Sequence, residues 1–337
     1  MNRERTATLW LVATTVIWGS TFFTMKIAQE AIERSAGKTW LAGVLFLALR
    51  FALATVLFTA ILPRVWTRLK WPVFRDSIAV SLPGIVGIGL QMLSLRYISS
   101  AMVAFITSLT IVTVPLIGWA FLRSKLTPAL WIGGAIALSG VCVMTDPFSG
   151  SFGWPGIATL VATVLFGFQI HFIDHYTRKH DPEAVTLGAF IHSVWASVLF
   201  LLCLPEGRAL LNPDTLLGLF APIEDPNPLK RWAFAWVLPY QVAFASVGAF
   251  WVMMRFQRDV PPTRVAIIYC LEPVFAAVLA WMFVSEGMRG YEIAGAAIIL
   301  AGNLACELLR RSEAPLPVRP EEAMPPGTPA APLRDRS

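Results

Sequence analysis

The sequence predicts an all-α membrane protein of ten transmembrane helices arranged as two inverted five-helix repeats. Three observations carry this expectation: the composition, the spacing of the apolar runs, and an internal repeat. Of 337 residues, 56% are hydrophobic and only 14% are charged. A soluble domain usually has about 25% charged and 45–50% apolar residues. The mean hydropathy of +0.64 agrees. With 27 basic and 21 acidic side chains, the chain lacks the charged shell that a soluble core of this size needs. The same numbers exclude a largely disordered chain, a coiled coil, a fibrous repeat and a small disulfide scaffold. A spanning helix needs roughly 20 mostly apolar residues, so ten of them use about 200.

The apolar runs fall at 7–28, 40–62, 77–97, 100–122, 128–145, 154–173, 184–204, 233–255, 262–285 and 291–309. Each is near the length that crosses a bilayer as a helix, the form in which backbone groups pair within their own segment. The first run has no good small-residue cleavage site and carries Lys26 at its far end, so it reads as a span and not a signal peptide. Only a few residues around Ser99 and Ser100 join the third and fourth runs. The longest inter-span loop, 205–232, holds Pro205, Pro213, Pro222, Pro226 and Pro228 and reads as an irregular cap. From about Ser312 the chain is rich in Pro, Ala, Glu and Arg without hydrophobic period, as in a disordered tail. The expected units are a first repeat at 1–147, a second at 148–311 and a cytoplasmic tail at 312–337.

Lys and Arg in short loops set orientation. With the N-terminus inside, the cytoplasmic face receives Arg3, Arg5, Arg64, Arg68, Lys70, Arg75, Arg123, Lys125, Arg178, Lys179, Arg255, Arg258, Arg264, Arg310 and Arg311. The other face receives fewer: Arg34, Lys38, Arg96, Arg208, Lys230, Arg231 and Arg289. Both termini are therefore expected in the cytoplasm, with the chain in the cell (inner) membrane. The net charge of +6 then records orientation and calls for no nucleic-acid partner. Cys142, Cys203, Cys270 and Cys306 all lie in apolar runs without CxxC or zinc spacing, and read as small buried hydrophobes.

Shifting 96–140 by 162 residues places it on 258–302 without a gap. Thirteen pairs are identical over those 45 positions, among them Arg96/Arg258, Ala104/Ala266, Leu109/Leu271, Trp119/Trp281, Gly133/Gly295 and Gly140/Gly302. The shift equates spans four and five with nine and ten. Five spans per copy is an odd number, so the second copy is inverted. Inverted repeats are a mark of secondary transporters, whose sites lie near the midplane between the halves. The bland alternative is an old duplication in a membrane protein that does not transport.

Several short stretches carry a family resemblance: Trp18-Gly19-Ser20-Thr21-Phe22, Ala48-Leu49-Arg50-Phe51, Ala104-Phe105-Ile106-Thr107-Ser108-Leu109, Val114-Pro115-Leu116, Pro261-Pro262-Thr263-Arg264 and Tyr269-Cys270-Leu271-Glu272-Pro273-Val274-Phe275. As an ordered set they resemble the EamA-type transporters of the drug/metabolite transporter superfamily. The resemblance covers nearly all of the first 310 residues. It implies two inverted five-helix halves and export of an amino acid, related metabolite or drug-like compound. One departure stands out. Members often carry an acid where the fourth and ninth spans end. Glu286 fills that place in the second half, whereas the first half has Ser124, followed by Lys125.

An ionisable group inside a span is a functional hypothesis by default. Glu272 lies deep in the ninth span beside Pro273, which frees a carbonyl as helices lining a cavity often do. Either it meets a cationic substrate group or a proton, or it partners a structural Arg such as Arg50. Near mid-span lie Ser20, Thr21, Gln91, Thr107, Gln169, Gln241 and Tyr269, with Trp18 as an aromatic wall. Any one of them is more simply interhelical glue; together with Glu272 they form the candidate substrate-binding set. Thr107 and Tyr269 are repeat-equivalent and are expected to face each other across the pseudo-two-fold axis. His171, Asp174 and His175 share a helix face but lack the further ligands a closed zinc site has, so no metal is assigned. Gly84, Gly87 and Gly89 read as helix packing near Pro83 and not as a phosphate loop.

No Walker motif or nucleophile elbow occurs, so neither a cofactor nor an enzymatic role is assigned. The expected partners are a small-molecule substrate, a proton if transport is coupled, and the bilayer; a homodimer is compatible with the sequence. The competing classes are a flippase for a lipid-linked substrate and an integral-membrane enzyme.

Overall fold

A computed structural model describes residues 3–37, 39–123, 128–145 and 153–312. Among these residues every regular element is a helix and there is no strand. In chain order come α1 (Arg3–Ala36), α2 (Ala42–Ile61), α3 (Trp71–Leu95), α4 (Ser100–Thr107), α5 (Thr110–Leu122), α6 (Pro128–Thr145), α7 (Gly153–Lys179) and α8 (Pro182–Cys203). After the 205–232 connection follow α9 (Ala233–Tyr240), a π-helix (Gln241–Gly248), α10 (Ala249–Phe256), α11 (Pro262–Tyr269), α12 (Glu272–Val284) and α13 (Gly290–Ser312). Eight helical rods are long and apolar enough to cross a membrane: α1, α2, α3, α4 with α5, α7, α8, α9 through Asp259, and α11 with α12. Two further helices, α6 and α13, are apolar over the shorter stretches Trp131–Met144 and Gly290–Ala305.

Local chemistry fixes several of these starts. Ser99 caps α4, its hydroxyl accepting from Met102 N–H, and Asp181 caps α8 ahead of Pro182 at the first helical position. The proline-rich 205–232 connection contains three short helices, Pro205–Leu210, Pro213–Gly218 and Pro228–Arg231, each begun by one of its prolines.

Two rods are broken at matching places. The α4/α5 rod breaks at Ser108–Leu109 and the α11/α12 rod at Cys270–Leu271, positions related by the 162-residue shift. Ser108 Oγ donates back to Phe105 O, and Cys270 Sγ to Ala266 O. Such back-bonding bends helices. Pro273 adds its missing N–H to the second break, but its equivalent, Ile111, leaves the same break without a proline. The two rods also end alike. Arg123 and Ser285, again 162 apart, both adopt φ 56 in a left-handed C-cap.

The core packs α7 and α8 against α3, α8 against α2, and α1 against α12. Phe51, Phe58, Phe190 and Phe250 form a ring cluster with centroids 5.7–6.0 Å apart. The tightest pair is α6 with α13. A Cβ at Gly140 would lie 2.6 Å from Ile299 N, and one at Gly302 would lie 2.5 Å from Ala137 N. Met144 meets Gly295 while Ala137 meets Gly302, so the helices run antiparallel. Ile299 is the repeat-equivalent of Ala137, so the contacts are reciprocal. Ser108 and Cys270, also equivalents, touch directly, with Cys270 Sγ donating to Ser108 O at 3.4 Å.

Outward faces are apolar, with Trp119, Trp131, Trp281 and Met282 each more than half exposed. That suits lipid as the surrounding solvent. It also corrects the reading of the cysteines. Cys270 is buried, but Cys142 and Cys203 are exposed, because a lipid-facing surface accepts the same residues as a core. The Cys306 side chain, Ser124, Lys125 and the tail at 313–337 lie outside the described residues.

Candidate functional site

The breaks in the α4/α5 and α11/α12 rods border a central cavity. It holds about 800 Å³ of space between atoms, its open mouth included. Its wall comes from both sides of the repeat: α1, α2, α3, α4 and α5, and α7, α10, α11 and α12.

Seven of the nine candidate residues reach this wall: Trp18, Thr21, Gln91, Thr107, Gln169, Tyr269 and Glu272. Several are held in place by named bonds. Trp18 Nε1 donates to Ala245 O at 3.2 Å, and its ring meets Tyr269 and Phe250 edge-on at 5.3 and 5.8 Å. Gln91 Nε2 donates to Thr107 Oγ1 at 2.8 Å. Tyr269 OH donates to Gln257 Oε1 at 3.2 Å, and Gln257 Nε2 donates to Ile170 O at 3.1 Å. Glu272 opens α12, where the helix N-terminus favours a negative charge. Gly19 is what lets α1 approach this turn, since a Cβ there would lie 2.7 Å from Phe275 Cβ and 2.9 Å from Glu272 O.

Ser20 and Gln241 lie off the wall. Ser20 Oγ is engaged with Tyr240 OH at 2.5 Å, and Gln241, fully buried, donates Nε2 to Thr24 Oγ1 at 2.7 Å. They lie behind the cavity as links between α1 and the rod that begins at α9. Thr107 and Tyr269 share the wall, with each hydroxyl bonded to a different glutamine, Gln91 and Gln257.

Arg50 is on the wall, and it does not pair with Glu272. Among the described residues it forms no ion pair. Its Nε donates to Ser246 Oγ at 2.7 Å and its Nη1 contacts Met25 Sδ at 3.6 Å. Met25, Phe166, Phe250 and Met253 are among the apolar side chains of the wall. The mid-span position of Arg50 was the readable signal; the apolar lining has none, because an aromatic or Met in a span packs anywhere.

The His171, Asp174 and His175 set is used otherwise. His171 Nε2 lies 2.8 Å from Val114 O, Asp174 pairs with Arg178, and the His175 ring packs on Tyr176. Among the described residues no group of three His, Cys, Asp or Glu side chains is placed to hold a metal.

Beyond the cavity, ion pairs tie the bundle at both ends. At the end holding Arg3, Asp76 on α3 accepts from Lys179 Nζ at 2.7 Å and lies 2.8 Å from His180 Nε2. At the opposite end, Glu286 pairs with Lys26 at 2.7 Å and accepts Ser100 N–H at 3.2 Å.

The EamA-like transporter family matches the chain twice, over residues 5–146 and 154–305. The chain belongs to that family. Relatives sharing its sequence are named as transporters. An uncharacterized transporter of Archaeoglobus fulgidus is 26% identical over 90% of this chain and 86% of its own. The uncharacterized inner membrane transporter YedA of Escherichia coli K12 is 26% identical over 80% of each chain. A riboflavin transporter of Rhizobium johnstonii is 25% identical over 55% of this chain and 54% of its own. A solved crystal structure aligns with a TM-score of 0.62 and 20% identity, over 92% of this chain and 99% of the other, a likeness of fold alone. Such a protein is a multi-pass membrane protein with a small-molecule substrate.

Proposed function

We propose that this EamA-family chain is a secondary active transporter of the inner membrane. It exports a small metabolite, either an amino acid, a related compound or a drug-like molecule, by alternating access. Its units are two inverted five-helix halves, 1–147 and 148–311, with both termini in the cytoplasm. The carrying observation is the central cavity, which draws its wall from both halves and is lined by two ionisable side chains, Arg50 and Glu272. The antiparallel α6/α13 contact, the paired breaks and the paired left-handed caps support the inverted arrangement. The excess of basic loops at one face supports the orientation. The substrate-binding set is Trp18, Thr21, Gln91, Thr107, Gln169, Tyr269 and Glu272, with Ser20 and Gln241 as supports behind it.

Proton coupling rests on Glu272, a carboxyl on the wall of a mid-membrane cavity. The test is flux in sealed proteoliposomes, after a thermal-shift screen has identified a ligand by the stability it adds. Imposed pH gradients should drive accumulation by the wild type and not by Glu272→Gln. Flux that ignores the gradient rules out proton coupling. Wild-type flux by Glu272→Gln, with only expression reduced, removes Glu272 from the site.

A further inference from the structure

Arg50 is 2% exposed and sits mid-way along α2, where a charge needs a partner or a wet cavity. A guanidinium has five N–H donors in a planar fork and stays charged. One donor goes to Ser246 Oγ and one to Met25 Sδ, a weak acceptor. The others have no partner among the described residues, and the side chain lines the cavity. The Phe51 ring lies 5.4 Å from the guanidinium carbon and stiffens one side. Glu272 lines the same cavity but stands outside ion-pair distance.

The hydroxyl that holds this fork is itself delivered by an unusual element. Ser246 lies in the eight-residue π-helix between α9 and α10. Such turns are rare, well under 1% of residues, and gather at functional sites. The same turn presents Ala245 O to Trp18 Nε1 and Ser246 Oγ to Arg50 Nε. One residue fewer in this rod would rotate those groups by about 100° relative to α10, and both contacts would be lost.

We infer that Arg50 is an anion-recognition residue of the cavity, that Ser246 positions it, and that the cargo carries an anionic group of carboxylate type. This rests on the transport reading above. A carboxylate suits the free donors because it accepts two parallel N–H bonds from one guanidinium.

The test uses the full chain in lipid nanodiscs and two probes of the same shape, benzoate and benzamide. Benzoate should bind more tightly than benzamide, read as a larger melting shift and a lower Kd. Arg50→Gln should erase that preference, weakening benzoate about tenfold to a hundredfold, the range for a lost hydrogen bond to a charge. Arg50→Lys, which keeps the charge and loses the fork, should retain part of the preference, and it decides the matter if the Gln variant does not fold. Ser246→Ala should weaken benzoate while leaving benzamide unchanged, which general loosening of the fold would not do. Equal affinity for the two probes in the wild type, or a benzoate preference that survives Arg50→Gln, overturns the inference. If metabolite flux in proteoliposomes persists in those cases, the transport reading stands alone. If flux is absent as well, both readings fall.

Discussion

Glu286 shows how one side chain can tie two halves of a membrane protein. Its carboxylate takes Lys26 Nζ from α1 and Ser100 N–H from the start of α4. Burial pushes its pKa up, but the Lys26 charge and the bonds from Lys26 and Ser100 outweigh it and hold the group below its usual 4.5. A depressed carboxyl stabilises the fold above the unfolded value, and that contribution disappears as pH falls through the folded one. Glu286→Gln should therefore cost about 1–3 kcal/mol at pH 7, read by thermal or denaturant unfolding, with the gap to wild type closing in strong acid. A gap independent of pH would show that the charge is not what matters. The residue was legible as a place where family members carry an acid, but its partners were not, since Lys26 is 260 residues away. The same limit applies to the cavity. A polar residue in mid-span is easy to read, yet whether Ser20 faces the cavity or Tyr240 depends on helix rotation, which packing sets. Arg50 was visible as a buried charge, and its lack of an acid partner became visible only with α12 in place.

At the scale of elements, a bilayer imposes the length of a span, and hydropathy located eight rods of that length together with the shorter apolar stretches of α6 and α13. It did not locate the breaks. The 100–122 run reads as one span, yet α4 and α5 part at Ser108. Hydroxyl and thiol back-bonding accompanies each break, and it leaves hydropathy unchanged. The π-helix was equally silent, since its composition is that of any apolar span. The glycines of α6 and α13 were legible as repeat identities, and the structure gives them a consequence. Gly140→Ala would push a methyl to 2.6 Å from a backbone nitrogen of α13. Overpacking of this kind costs about 1–3 kcal/mol, which unfolding in detergent would register. A neutral Gly140→Ala would mean the pair separates easily and is no anchor. Exposed Gly287, with open space around it, is the control and should accept alanine freely.

For the whole molecule, the two end clusters oppose one another. Asp76 with Lys179 and His180 ties α3 to α7 at one end, and Lys26 with Glu286 and Ser100 ties α1 and α4 to the α12 terminus at the other. If the halves rock, each cluster must open in turn. Glu286→Gln should then raise the reactivity of a Thr107→Cys probe toward an impermeant maleimide added on the Glu286 side. Asp76→Asn should raise it from the Asp76 side. The same change from both would point to general loosening and not to gating. The repeat was written in thirteen identities, and its antiparallel meeting emerged only from contacts such as those of Gly140 with Ile299 and Gly302 with Ala137. Those contacts also show where the two copies have parted. Around the cavity, Thr107 is matched by Tyr269, Thr110 by Glu272 and Ile111 by Pro273. If the halves alternate, the backbone of one state can mirror the other, while the side chains cannot. Under alternating access, a ligand in the middle would have a head end and a tail end, and the two states would differ in energy even with the chamber empty. Under that mechanism, a resting preference for one face of the membrane has its source in those paired positions being copies no longer.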